Sequence, residues 1–159
     1  MIEHADQLPD GFWDAIIAGE QDPFDVGDDR TEWRGKEFHT VLGTDVHVGL
    51  TLADVEVGEH RFQVVGVGGV IVTHSRRGEG LLRPTLEAAL ERAASLGPDK
   101  AMLFCSEANA RIYERFGFTE VHALIVAGGQ RMRERFMWRP LRDGATWPDG
   151  PVNLPQLPF

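Results

Sequence analysis

The order of apolar patterns along this 159-residue chain predicts an α/β domain. Three observations carry that prediction. An alternating, β-branched stretch over 38–73 is broken twice by turn residues. A repeat of Leu and Ala at three- and four-residue intervals follows over 82–96. After it come a short apolar run, a second helical segment and two further strand-like stretches, so that strand and helix alternate. The length is that of one domain, and 42% hydrophobic residues are enough for a core.

Taken in order, Phe12, Trp13, Ile16 and Ile17 recur at helical spacing after Pro9-Asp10, a cap-like start, and predict a short amphipathic helix over 11–18. Residues 21–34 have no such period and read as a mobile connection with one helical turn around Trp33. Gly43-Thr44 and Gly58-Glu59 divide the next stretch into strands at 38–42, 46–56 and 61–73. Leu82, Leu86, Ala89, Leu90, Ala93 and Leu96 build the strong helix, which Gly97-Pro98 stops. Pro84 fits its first turn, where the missing N–H would have had no partner. Residues 101–105 have the character of a buried parallel strand, and 109–116 form a helix closed by Gly117. Strands at 118–126 and 133–139 follow. Five of the nine prolines fall at or after Pro140, so the tail is an extended strap or a disordered end. The division read from this is a domain over 1–141 and a Pro-rich extension over 142–159.

Charge limits the partners. Twenty-five acidic against sixteen basic residues give −9, which repels polyanions and argues against nucleic acid as the main partner. The imbalance is local. Residues 1–35 hold ten acids and two arginines, whereas 74–142 hold twelve basic and eight acidic residues. The longest aliphatic and glycine run, 64–72, is far short of the roughly 20 residues of a membrane-crossing helix. A single cysteine and a start without a secretory pattern place the chain in the cytoplasm as an expectation. The sequence does not fix the oligomeric state and leaves a homodimer open.

The sharpest local signal lies where the third strand turns into the strong helix: Val72-Thr-His-Ser-Arg-Arg77-Gly78-Glu79-Gly80-Leu81-Leu82. Small residues there let backbone N–H groups converge, and the helix N-terminus adds about half a positive charge. Arg76, Arg77 and Arg83 add full charges. The arrangement suits a pyrophosphate, and it equally suits a tight structural turn. Neither a nucleoside-triphosphate loop lysine nor the third glycine of a dinucleotide fingerprint is present. The second signal is Ala110-Arg-Ile-Tyr113-Glu-Arg-Phe-Gly117-Phe118 on the next helix and its exit.

In the order and spacing of these two motifs the chain resembles the GNAT superfamily of acyl-CoA-dependent N-acyltransferases, over about 46–138. The resemblance implies a mixed, mostly antiparallel central sheet flanked by helices, with the phosphate-binding turn between strand and helix. The approach through Glu32-Trp33, the long hairpin and the extended C-terminus look most like bacterial aminoglycoside N-acetyltransferases that act on the 2-prime amine. Acetyl-CoA is the implied co-substrate, and no metal is implied. The backbone of Val70, Ile71 and Val72 would pair with the pantetheine arm. Arg77, Gly78, Glu79, Gly80, Leu81 and Leu82 would hold the pyrophosphate, and an N–H near Val70 or Ile71 would polarise the thioester carbonyl. Tyr113, the only tyrosine, falls where the family keeps the acid that protonates the departing thiolate. Ser106 and Asn109 either touch the pantetheine or cap the helix.

The acceptor implied is a small-molecule amine, cationic if the acidic stretch recruits it: Asp25, Asp28, Asp29 and Glu32 lie beside Trp33. Leu82 stands where Gly or Ala is usual, and His74 where proline is common. Some relatives carry a glutamate base on the binding strand, where this chain has Gly68. The base is left open between a carboxylate of 25–32, a histidine such as His74 or His122, and the terminal carboxylate of Phe159 if the tail folds over the site. Cys105 reads as core.

Overall fold

The structure, a computed structural model, describes residues 1–25 and 31–159. The elements are β1 (Ile2–Ala5), α1 (Phe12–Ile17), β2 (Phe38–Leu42), β3 (Val46–Val57), β4 (His60–Val72), a single 3-10 turn (His74–Arg76), α2 (Leu82–Ser95), β5 (Lys100–Cys105), α3 (Glu107–Glu114), β6 (Thr119–Glu120), β7 (Ile125–Ala127), β8 (Gln130–Arg131), β9 (Arg135–Pro140) and β10 (Val152–Leu154). The strands form one sheet in the order β6-β9-β5-β4-β3-β10-β7-β8, with β2 on the first half of β3 and β1 on β2. Pairing is antiparallel except for β4 with β5 and β10 with β7. The fold is thus the expected mixed, mostly antiparallel sheet flanked by helices.

Period-2 alternation divides the core. Val65, Val67, Ala101, Leu103 and Met137 face α2 and α3, where they meet Leu86, Ala89, Ala93 and Tyr113. Their neighbours Val64, Met102 and Phe136 face the opposite side and pack on Val152, Leu154 and Phe159 of the tail. On that side α1 covers the first part of the sheet, with Phe12 and Ile16 against Val41 and Ile71. The β2, β3 and β4 spans match their expected ranges to within a residue.

Three expectations need correction, and one strand was not foreseen. Asp10 does not cap α1: Gly11 is the cap residue, at φ 77°, and no side chain caps the helix. No helical turn forms at Trp33; its ring packs edge-on to Phe104 instead, 5.9 Å away. The strand expected over 118–126 is two strands, because its apolar alternation serves two neighbours. Thr119 and Glu120 pair with β9, and after residues 121–124 Ile125–Ala127 pair with β10. Residues 2–5, which have no apolar run, form an edge strand on β2, helped by the 2.9 Å contact of His4 Nδ1 with Thr40 Oγ1.

The tail is a strap that belongs to the sheet: β10 lies between β3 and β7, and the sheet therefore runs through both 1–141 and 142–159. Pro158 O accepts from Arg34 N at 2.6 Å, and Gln156 bonds both the backbone and the carboxylate of Asp54. Glycine makes room for this return. A Cβ on Gly66 would stand 2.5 Å from the Phe159 ring, and one on Gly68 would stand 2.8 Å from the Phe159 carbonyl carbon. No helix among the described residues is long and apolar enough to cross a membrane.

Candidate active site

The sheet opens at the end of β4. Its parallel pairing with β5 covers only Val65, Gly66 and Val67. On its other edge Gly49 pairs with Gly68 and His47 with Ile71, so Gly69 and Val70 together face Val48. This is a β-bulge, and Gly69 supplies the positive φ, 58°, that such a bend uses. Residues 68–72 are left on the β5 side with backbone groups that no strand takes.

A cleft of about 710 Å³ occupies the opening. Val70, Ile71 and Val72 form one wall, Asn109, Ile112 and Tyr113 of α3 another, and Arg76, Arg77, Gly78, Gly80, Leu81 and Leu82 the end where α2 begins. Gly78 and Gly80 are both left-handed, at φ 83° and 77°, which turns the loop so that its amides can converge. No side chain caps the first turn of α2, whose N–H groups are therefore available at the cleft. Two glycines, an uncapped helix start and the guanidinium groups of Arg76, Arg77 and Arg115 fit a pyrophosphate.

Tyr113 lies on the cleft wall with little of its surface exposed, and its ring packs edge-on to Phe118, 6.1 Å away. Burial pushes its phenol pKa up, so the hydroxyl keeps its proton at neutral pH. Asn109 lines the cleft, whereas Ser106 is the N-cap of α3, its Oγ accepting from Asn109 N at 3.3 Å. Glu79 turns to Arg76, 2.8 Å away, and takes no part in the lining. Arg83 lies outside the cleft too: it reaches Glu87 at 3.3 Å and covers the Phe116 ring at 5.1 Å. Cys105 is buried in the core, and burial pushes its thiol up to about 12.

Asp25 lines this same cleft, with Glu20 and Asp22, against the cationic turn. Asp28 and Asp29 lie outside the described residues. Glu32 is tied by its backbone to the Gln130 side chain at 3.0 and 3.3 Å, and Trp33 joins the aromatic group of Phe104 and Phe136. His74 is exposed with its Nδ1 4.0 Å from Glu20, and His122 is exposed beside Glu120 on a second cleft of about 480 Å³. Phe159 is buried with its ring on Gly66. Among the described residues no group of three His, Cys, Asp or Glu could hold a metal ion.

Three residues at this centre have no local sequence signal. Lys36 runs over Gly49 and Gly68, its amine 3.1 Å from a Gly68 Cβ position, and burial, with Arg34, lowers its pKa to about 8. His47 bonds the Gly69 carbonyl. Glu20 grips Arg77 with both oxygens, at 2.7 and 2.6 Å, while Arg77 Nε donates to Val72 O at 3.0 Å. The only hint in the sequence is the glycine spacing at 49, 66 and 68, which clears one face of the sheet for side chains from elsewhere.

An arginine held by a carboxylate is a poorer anion site. Removing the negative charge with Glu20→Gln should tighten acetyl-CoA binding about threefold at low salt, within the range of a half-exposed ion pair. Calorimetric dissociation constants at low and high salt check this. Unchanged or weaker binding would mean that Arg77 is not competed for.

Residues 47–121 match the Acetyltransferase (GNAT) domain family. Among solved structures, the chain is similar to the GNAT family N-acetyltransferase YhbS from Escherichia coli in complex with CoA (21% identity, TM-score 0.62, 97% of this chain and 88% of that one). It is also similar to Escherichia coli ElaA (19%, 0.56, 87% and 99%) and to an acetyltransferase of the GNAT family from Staphylococcus aureus (12%, 0.59, 89% and 100%). No curated protein sequence matches it. The chain has the GNAT fold, and the stretch that matches the acetyltransferase family model, residues 47–121, runs from β3 through the glycine turn and α3. None of these three structures is described as an aminoglycoside acetyltransferase, and the likeness to enzymes of the 2-prime amine gains no support from them.

Proposed function

We propose that the chain transfers an acetyl group from acetyl-CoA directly to a primary amine. The observation that carries this reading is the meeting, in one cleft, of the bulged strand 70–72, the Gly78–Gly80 turn and Tyr113. Bound there, acetyl-CoA would supply a thioester activated for attack by nitrogen. Arg77, Gly78, Gly80 and the first amides of α2 hold the pyrophosphate, the 70–72 backbone holds the pantetheine arm, and the Tyr113 hydroxyl donates to sulfur as the C–S bond breaks, the proton shed by the acylated nitrogen passing through solvent to restore the phenol.

The acceptor is an amine of aminoglycoside, polyamine or peptide type, bearing positive charge. Support for that charge comes from the −9 net charge, which attracts cations. The described acids Glu20, Asp22 and Asp25 face the coenzyme turn and lend it less. The test is acetyl-CoA turnover with a panel of aminoglycosides, polyamines and basic peptides, the acetylated product being located by mass spectrometry. Acetylation of cationic amines ahead of neutral ones supports the reading.

One observation favours a second reading, a module that binds acyl-CoA without catalysis: the binding strand has Gly68 where some relatives carry a glutamate base. Saturable acetyl-CoA binding with no turnover of any amine in the panel would select it.

A further inference from the structure

The peptide between Gly69 and Val70 joins the two faces of the bulge. Its carbonyl oxygen is 2.6 Å from His47 Nδ1. An oxygen can only accept, so Nδ1 carries the proton. The other nitrogen of a neutral His47, Nε2, is then an acceptor, and it lies 2.8 Å from His39 Nδ1, which must donate. Both rings are buried, and His47 is held between the rings of Phe12 and Trp13, with centroids 5.7 and 4.6 Å away. Burial lowers the pKa of both histidines, that of His47 to about 4, so the neutral pair is the form present at neutral pH. One tautomer of each ring satisfies the whole chain of bonds.

The geometry reaches the cleft through a single peptide plane. No peptide bond among the described residues is cis, so the Gly69 carbonyl and the Val70 N–H point in opposite directions. Fixing the carbonyl toward His47 turns the N–H away from it, and Val70 lines the coenzyme cleft. A donor on the carbonyl also polarises the peptide and makes its N–H a stronger donor.

We propose that His47, kept in its Nδ1–H tautomer by His39, is the positioning residue that aims and strengthens the Val70 N–H as donor to the acetyl carbonyl of acetyl-CoA. This rests on the acetyl-transfer reading above. The backbone donor is where negative charge grows during attack, and His47 acts on it from the far side of the sheet without touching the coenzyme.

The test needs no acceptor amine. Acetyl-CoA labelled with ¹³C at the thioester carbonyl is bound to the full chain, and isotope-edited infrared spectroscopy reads the carbonyl band. In the wild type the band falls below its position in free acetyl-CoA. His47→Leu should lose at least half of that downshift while the acetyl-CoA dissociation constant changes less than about threefold. Turnover with any accepted amine should fall about tenfold with KM for acetyl-CoA unchanged, less than the loss from deleting a donor outright. His47→Asn, whose amide nitrogen replaces Nδ1, should restore the downshift; His47→Gln, whose amide nitrogen replaces Nε2, should not. Should His47→Leu fail to fold, the Asn and Gln pair decides alone. An equal downshift in His47→Leu, a Gln variant as good as Asn, or no downshift in the wild type overturns the role of His47. Failure of the wild type to bind acetyl-CoA at all overturns instead the acetyl-transfer reading.

Discussion

Tyr113→Phe is expected to lower the turnover number about 100-fold, with little change in acetyl-CoA affinity or in stability. The substitution removes one oxygen. The ring keeps its edge contact with Phe118 and its place among Phe116, Phe118 and Ala110. Stability should therefore move by no more than about 1 kcal/mol, the net worth of an ordinary hydrogen bond. Burial raises the phenol pKa, which keeps the proton on oxygen at neutral pH but makes the group a weak acid. In the proposed mechanism its leverage comes from placement on the cleft wall, where a proton delivered to sulfur need not come from water. Rapid-quench single turnovers, which isolate the chemical step, check this. Equal single-turnover rates in both proteins would reduce Tyr113 to packing.

Acidification should destabilise the fold through the buried histidines before any general acid collapse. An unfolded imidazole takes up a proton near pH 6.5, whereas burial keeps His47 neutral down to about 4. Between those values the unfolded chain binds more protons. The stabilisation is therefore complete above pH 6.5 and is lost as the pH falls toward 4, on the order of 3 kcal/mol from His47. His39 is shifted in the same direction, and the positive charges of Lys36 and Arg92 oppose its protonation, with Asp6 opposing them. A proton on His47 would also set two N–H groups against each other across the 2.8 Å contact. Urea unfolding at pH 7 and pH 4.5 measures the slope. His47→Asn should be visibly less pH-dependent over that interval; parallel curves would show that His47 titrates normally.

The helix α2, strands β2 to β4 and the glycine turn could be read from the sequence because each is written in neighbouring residues. Leu and Ala at 82–96 repeat with the helix period, and Gly78 and Gly80 fall between a strand and that helix. Tyr113 was legible by its register with the same turn. What the sequence did not disclose are contacts between residues remote along the chain. Glu20 and Arg77 are far apart in sequence, and an acidic stretch reads the same whether it faces an acceptor or a coenzyme turn. His47 looks like one more residue of an alternating strand until β4 bulges opposite it. Likewise the pattern over 118–126 is one strand by period, and only the position of β10 shows that two neighbours divide it.

The central claim is that acetyl-CoA lies with its pyrophosphate on the Arg77–Leu82 turn and its thioester at the β4 bulge. Amide chemical shifts during an acetyl-CoA titration of the uniformly ¹⁵N-labelled chain test it residue by residue. The account predicts that the largest shifts fall on Gly78, Gly80, Leu81 and Leu82, on Val70 and Ile71, and on α3 around Asn109 and Tyr113. Shifts centred on the second cleft, at Glu107, His122 and Arg133, or no saturable shifts at all, would contradict it.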